Sequence, residues 1–165
     1  MRDRKLKLRA EDAEDLAVFA ALLQDARAPL SEMVYQPEAR RFAGVFRRYR
    51  RECLADPERC EGVTEVETAV VFEDIARVRH RGFEAVDLTR VHRLLTIATH
   101  PGRDHLLHIH LVFEGGAEIQ LCTGTIRARL EDFGEIVPAR EPPPAHDLGL
   151  PGEEERGGAA VAEDR

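Results

Sequence analysis

An α+β domain is predicted, built as a curved antiparallel β-sheet or partly closed barrel of six to seven strands, with one N-terminal amphipathic helix and a disordered C-terminal tail. Three observations predict it. One segment near the N-terminus has helical periodicity, the chain beyond Pro29 changes to two-residue alternation, and the stretch after Val137 is rich in Pro, Glu and Gly with few large apolar residues.

The helical segment runs from about Asp12 to Asp25, where Leu16, Phe19, Ala20 and Leu23 fall at i, i+3, i+4 and i+7 on one face. Acids at Glu11, Asp12, Glu14 and Asp15 suit the positive end of the helix dipole, Asp12 or a near neighbour supplies the cap, and Pro29 bars continuation. A short strand, Lys5 to Leu8, precedes it. After Pro29, Met33 to Gln36 and Arg41 to Arg50 read as a hairpin around a proline-containing turn at Pro37. The stretch from Arg51 to Glu65, with Asp56-Pro57 and many acids, reads as a loop. Strands resume at about Glu67 to His80, His92 to Thr99, Leu106 to Phe113 and Ala117 to Ile126. Arg127 to Phe133 reads as a short helical turn stopped by Gly134. The domain is therefore expected to occupy residues 1–136 and the tail residues 137–165.

The last hairpin fixes its own register. A two-residue Gly115-Gly116 turn would set Phe113 against Glu118 and put every apolar residue opposite a polar one, because a slip of one residue exchanges the faces. A three-residue loop, Glu114-Gly115-Gly116, pairs Phe113 with Ala117, Leu111 with Ile119 and Ile109 with Leu121, with Gly116 free to turn left-handed. On the outer face this register sets His110 opposite Gln120 and His108 opposite Cys122.

Bulk properties bound the function. The 165 residues suffice for one core, and 43% hydrophobic with 33% charged residues is a globular balance. No apolar run approaches the roughly 20 residues of a membrane span, and Met1 to Ala10 has no apolar signal region. A cytoplasmic, bacterial protein is the expectation, the latter from arginine far outnumbering lysine. Cys53, Cys60 and Cys122 form neither an even disulfide framework nor a paired zinc spacing, so reduced thiols are expected. Of the formal net charge of −7, much sits between Ala139 and Arg165, where seven acids face three bases. The nearly neutral body that remains lacks the positive field of a nucleic-acid protein.

Histidine is the chemistry-capable residue in excess, with His92, His100, His105, His108 and His110 inside nineteen residues. His108 and His110 leave the same face of a strand, and the hairpin register brings the Cys122 sulfur alongside, two nitrogens and a thiolate that zinc accepts. The competing reading is a solvated sheet face. Gly102 to Glu114 is similar to the first cupin motif over thirteen residues, but Leu121 stands where that motif has a glycine, and Leu107, Ile109, Leu111 and Phe113 claim the interior. Arg47, Arg48, Arg50 and Arg51, interleaved with Phe46 and Tyr49, form a second candidate, a phosphate or single-strand track that Arg77, Arg79 and Arg81 could join. They point to both faces, as in a strand whose charged end discourages edge association. Neither a catalytic constellation nor a cofactor fingerprint is present.

Leu6-Lys7-Leu8, Asp15-Leu16, Leu23-Gln24-Asp25-Ala26, Arg40-Arg41-Phe42-Ala43, Val112-Phe113 with Gly115-Gly116, and Ala128-Arg129-Leu130-Glu131-Asp132-Phe133-Gly134 follow one another in an order that resembles a small bacterial family, domain of unknown function 2948. The resemblance extends from about Leu6 to His146 and implies domain extent, with no activity, cofactor or catalytic residue to carry over. The expected function is a non-enzymatic binding or regulatory module that uses a sheet face or edge to contact a protein partner or itself, without nucleic acid or membrane. The alternative is a small metal-dependent enzyme or metal sensor centred on His108, His110 and Cys122.

Overall fold

The computed structural model describes residues 4–53, 62–83 and 87–146. In chain order its elements are β1 (Lys7–Ala10), α1 (Ala13–Leu22), β2 (Arg27–Pro29), β3 (Met33–Gln36), β4 (Arg41–Tyr49), β5 (Thr64–Phe72), β6 (Ile75–Arg81), β7 (Val91–Pro101), β8 (Leu107–Phe113), β9 (Glu118–Thr123), β10 (Ala128–Asp132) and β11 (Val137–Pro138). The strands form one antiparallel sheet in the order β1-β10-β5-β4-β2-β7-β8-β9-β6, with β3 added to β4 and β11 to β5. The expected class holds, a mostly antiparallel sheet with one helix. The count and closure do not: among the described residues the sheet has eleven strands and is open, ending at β1 on one side and β6 on the other.

Two segments account for half of the difference, and the short strands β2 and β11 for the rest. Glu67 to His80 is two strands, because the chain turns at Asp74, whose φ of 58° is left-handed, and the Glu73 amide donates to the Arg127 carbonyl at 2.8 Å. The expected helical turn at Arg127 to Phe133 is strand β10, in which Ala128, Leu130 and Asp132 are buried while Arg129 and Glu131 are exposed. An acid on the inward face disguises the alternation.

Helix α1 forms where the periodicity predicts it. Asp12 Oδ1 accepts the Asp15 amide at 2.8 Å and Asp15 Oδ2 accepts the Glu11 amide at 2.9 Å, so two main-chain donors at the helix start are satisfied. Leu16, Phe19 and Leu23 are buried and belong to one cluster with Phe42 and Phe72 of β4 and β5 and with Ile109, Leu111, Phe113 and Leu121 of β8 and β9. Both arms of the sheet thus bend over a single core.

Inside that core sits an ion network. Arg48 donates Nε and Nη2 to the two oxygens of Asp132 at 2.9 and 2.7 Å, and Nη1 and Nη2 to the oxygens of Glu52, both at 2.8 Å. Thr68 Oγ1 and the Leu6 amide complete the Asp132 carboxylate. Burial opposes charge on Asp132, yet the Arg48 and Thr68 hydrogen bonds hold it below the usual carboxylate range.

Contacts with the sheet continue beyond residue 136. Val137–Pro138 pairs with Glu65 and Thr64, Ala139 donates to the Val63 carbonyl, and His146 Nε2 lies 2.7 Å from Asp25 Oδ2. The proposed tail thus begins with a docked portion, and its part from residue 147 to 165 lies outside the described residues, as do residues 54–61 of the expected loop. Cys122 is a free, buried thiol, while Cys53 is disulfide-bonded, which corrects the expectation of three reduced cysteines; Cys60 lies outside the described residues. No described helix is long and apolar enough to cross a membrane.

Candidate functional site

The hairpin β8–β9 has the register that apolar parity demands. Leu111 faces Ile119, Ile109 faces Leu121, and the Phe113 amide donates to the Ala117 carbonyl at 2.8 Å across the three-residue loop. Gly115 and Gly116 both take left-handed φ values, 84° and 87°. On the outer face His108 is therefore opposite Cys122, and His110 opposite Gln120.

The side chains do not follow the backbone pairing. His108 Nδ1 leans diagonally to Gln120 Nε2 at 2.6 Å, and His110 Nδ1 leans the same way to Glu118 Oε1. Both rings turn away from Cys122, which is 4% exposed. His100, the partner of His108 on β7, stacks edge-on to His110 with ring centroids 4.8 Å apart. The outcome is a three-imidazole face with one oriented carboxylate. The His110 hydrogen bond, with Arg81 adding a second at 2.9 Å, holds Glu118 below the usual carboxylate range. Among the described residues no three His, Cys, Asp or Glu side chains converge where an ion could sit.

The candidate arginine track resolves into structural pairs. Arg47 bonds Glu67, Arg48 is consumed by Asp132 and Glu52, and Arg51 bonds Asp25 at 2.6 Å while lying over the Tyr49 ring. Arg77, Arg79 and Arg81 are on β6, at the far end of the sheet path from β1.

A feature that sequence reading missed lies on the inward side of β6. The sheet bends until the start of β6 meets the β3–β4 turn, where Ile75 donates to the Arg40 carbonyl and Tyr35 Oη donates to the Ile75 carbonyl, both at 2.8 Å. Beyond that junction β3 and β6 do not pair: among the described residues β3 is laddered only to β4 and β6 only to β9. Between them opens a cleft of about 340 Å³ with Phe42 and Ile119 among its lining residues, together with Val78 and His80 of β6 and Phe83 just after it. Val34 and Leu88, 52% and 55% exposed, also line it. Phe83 is held in place by edge-on contacts with His92 and Phe113, at centroid distances of 4.9 and 5.4 Å. Burial there, with the charge of Arg90, keeps the His92 imidazole below its usual pKa. No local pattern in the sequence signals this cleft, since two of its exposed apolar lining residues, Val34 and Leu88, are 54 positions apart.

The family model described as a protein of unknown function (DUF2948) covers residues 6–146. No curated protein and no solved structure matches.

Proposed function

Since the chain belongs to the DUF2948 family of proteins of unknown function, from which no activity carries over, we propose that it is a non-enzymatic binding module whose cleft takes an extended segment of a protein partner. The observation that carries this reading is the apolar cleft flanked by two strands, each paired on one side only among the described residues. An extended peptide laid along β6 gains main-chain hydrogen bonds from the free edge, and its alternate side chains enter the cleft, the recognition mode of strand addition. The outer face of β6 carries Arg77, Arg79 and Arg81, so the segment that fits alternates apolar residues inward with acidic residues outward. A cytoplasmic location accompanies this reading as an expectation from the sequence.

Selection of peptides from a displayed library against the full chain tests it. Enriched peptides should show the apolar–acidic alternation, and Val34→Glu or Leu88→Glu should weaken them at least about tenfold, or 1.4 kcal/mol. Melting temperature should hardly move, since both side chains are more than half exposed. Enriched peptides that lack the alternation, or that bind both variants as they bind the parent, would remove the proposal.

The second reading, a divalent metal bound by His108, His110 and Cys122, draws support from the cross-strand placement of His108 and Cys122 and from the neighbouring His100 ring. It requires both rings to swing back from Gln120 and Glu118. If that happens, zinc at a hundredfold excess over its dissociation constant raises stability by about 2.7 kcal/mol, and His108→Ala and Cys122→Ser each abolish the gain. An unchanged melting temperature with zinc at neutral pH excludes it.

A further inference from the structure

We propose that the outer face where β1, β10, β5 and β4 end is a binding site for a phosphate group. These strands align Ala10, Ala128, Phe72 and Phe42 in one row of the ladder. One position further, Glu11, Arg127, Glu73 and Arg41 come out on the solvent side, alternating in charge. Arg41 Nε and Arg129 Nη2 both donate to Glu73 Oε1, at 2.9 and 3.2 Å, and Arg127 reaches Asp74 at 3.3 Å.

The row behind breaks that balance. Arg9 and Arg129 are direct cross-strand partners, and the row continues with Val71 and Ala43, which bring no acid. Like charges directly opposite one another destabilise a strand pair. Arg129 is partly relieved by Glu73, whereas Arg9 makes no ion pair among the described residues. The four guanidiniums and the two glutamates Glu11 and Glu73 line an open cavity of about 400 Å³. That volume falls in the size range of small-molecule sites. Guanidinium donors in a fork match the oxygens of a phosphate, and a dianion placed between Arg9 and Arg129 would relieve their repulsion. Free phosphate and the phosphate of a small monoester share this chemistry.

Calorimetry and thermal melting of the full chain in a low-salt buffer free of phosphate and sulfate distinguish the two, with inorganic phosphate and glucose 6-phosphate as probes. We expect one equivalent bound, a raised melting temperature, and at least about tenfold weaker binding by Arg9→Gln. Arg9 makes no native ion pair, so the ligand-free melting temperature of this variant should stay level or rise. Equal affinity for the two probes identifies a site for the phosphate group alone, and tighter glucose 6-phosphate binding identifies a site that also holds the organic part. No heat and no stabilisation with either probe at about 10 mM, or Arg9→Gln and Arg129→Gln binding as the parent does, would overturn the proposal.

Discussion

Arg48→Ala is expected to destabilise the domain by about 3–5 kcal/mol, a large part of the roughly 5–15 kcal/mol that holds a domain of this size together. Its side chain is fully buried and Asp132 is 1% exposed, so removal leaves a carboxylate inside the core with only Thr68 and the Leu6 amide as partners. Urea denaturation at pH 7 measures the loss. Replacing both members with apolar residues, Arg48→Met with Asp132→Leu, should recover much of it, because the penalty comes from an unpaired charge. A double variant as unstable as Arg48→Ala would show that the network does more than neutralise itself. The parent should also respond to acid with a defined sign. The Asp132 pKa is lower folded than unfolded, so its contribution is complete above the ordinary carboxylate value of about 3.9 and is lost as pH falls through the lower folded value.

Phe113→Ala should cost about 3–5 kcal/mol, the usual range for emptying a buried aromatic site. Phe113 is fully buried at the end of β8, and the rings of Phe83 and His92 rest on it. The consequence reaches the cleft, since Phe83 loses the surface that holds it at the cleft wall. Phe113→Leu keeps most of the volume and should cost less. Chemical denaturation and peptide affinity measured on both variants should fall together, with Phe113→Ala the worse in each. Full peptide binding by a folded Phe113→Ala protein would show that Phe83 does not shape the cleft.

What the sequence made legible follows from how local each signal is. The β8–β9 register could be read because apolar parity and the Gly115-Gly116 pair lie within a few residues of each other, and the α1 face because its period is intact. Strand β10 was not legible, since its inward Asp132 is explained by distant partners, Arg48 84 positions away and Thr68 64 positions away. The division of β5 from β6 hung on a single left-handed residue, Asp74, inside an otherwise continuous pattern. The outer histidine face was legible as a register but not as a geometry, because the lean of His108 and His110 depends on Gln120 and Glu118. The cleft required the sheet to bend until β3 and β6 faced each other, and no run of residues encodes that meeting.

Hydrogen exchange followed residue by residue, with and without a selected peptide, tests the cleft most directly. In the free protein the unpaired-edge amides of β3 and β6 should exchange fast while their ladder partners in β4 and β9 stay protected. Saturating peptide should slow the β6 edge amides and leave the His108–His110 face unchanged. Edge amides of β6 already protected in the free protein, or protection appearing on β8 and β9 instead, would contradict a partner segment adding to β6.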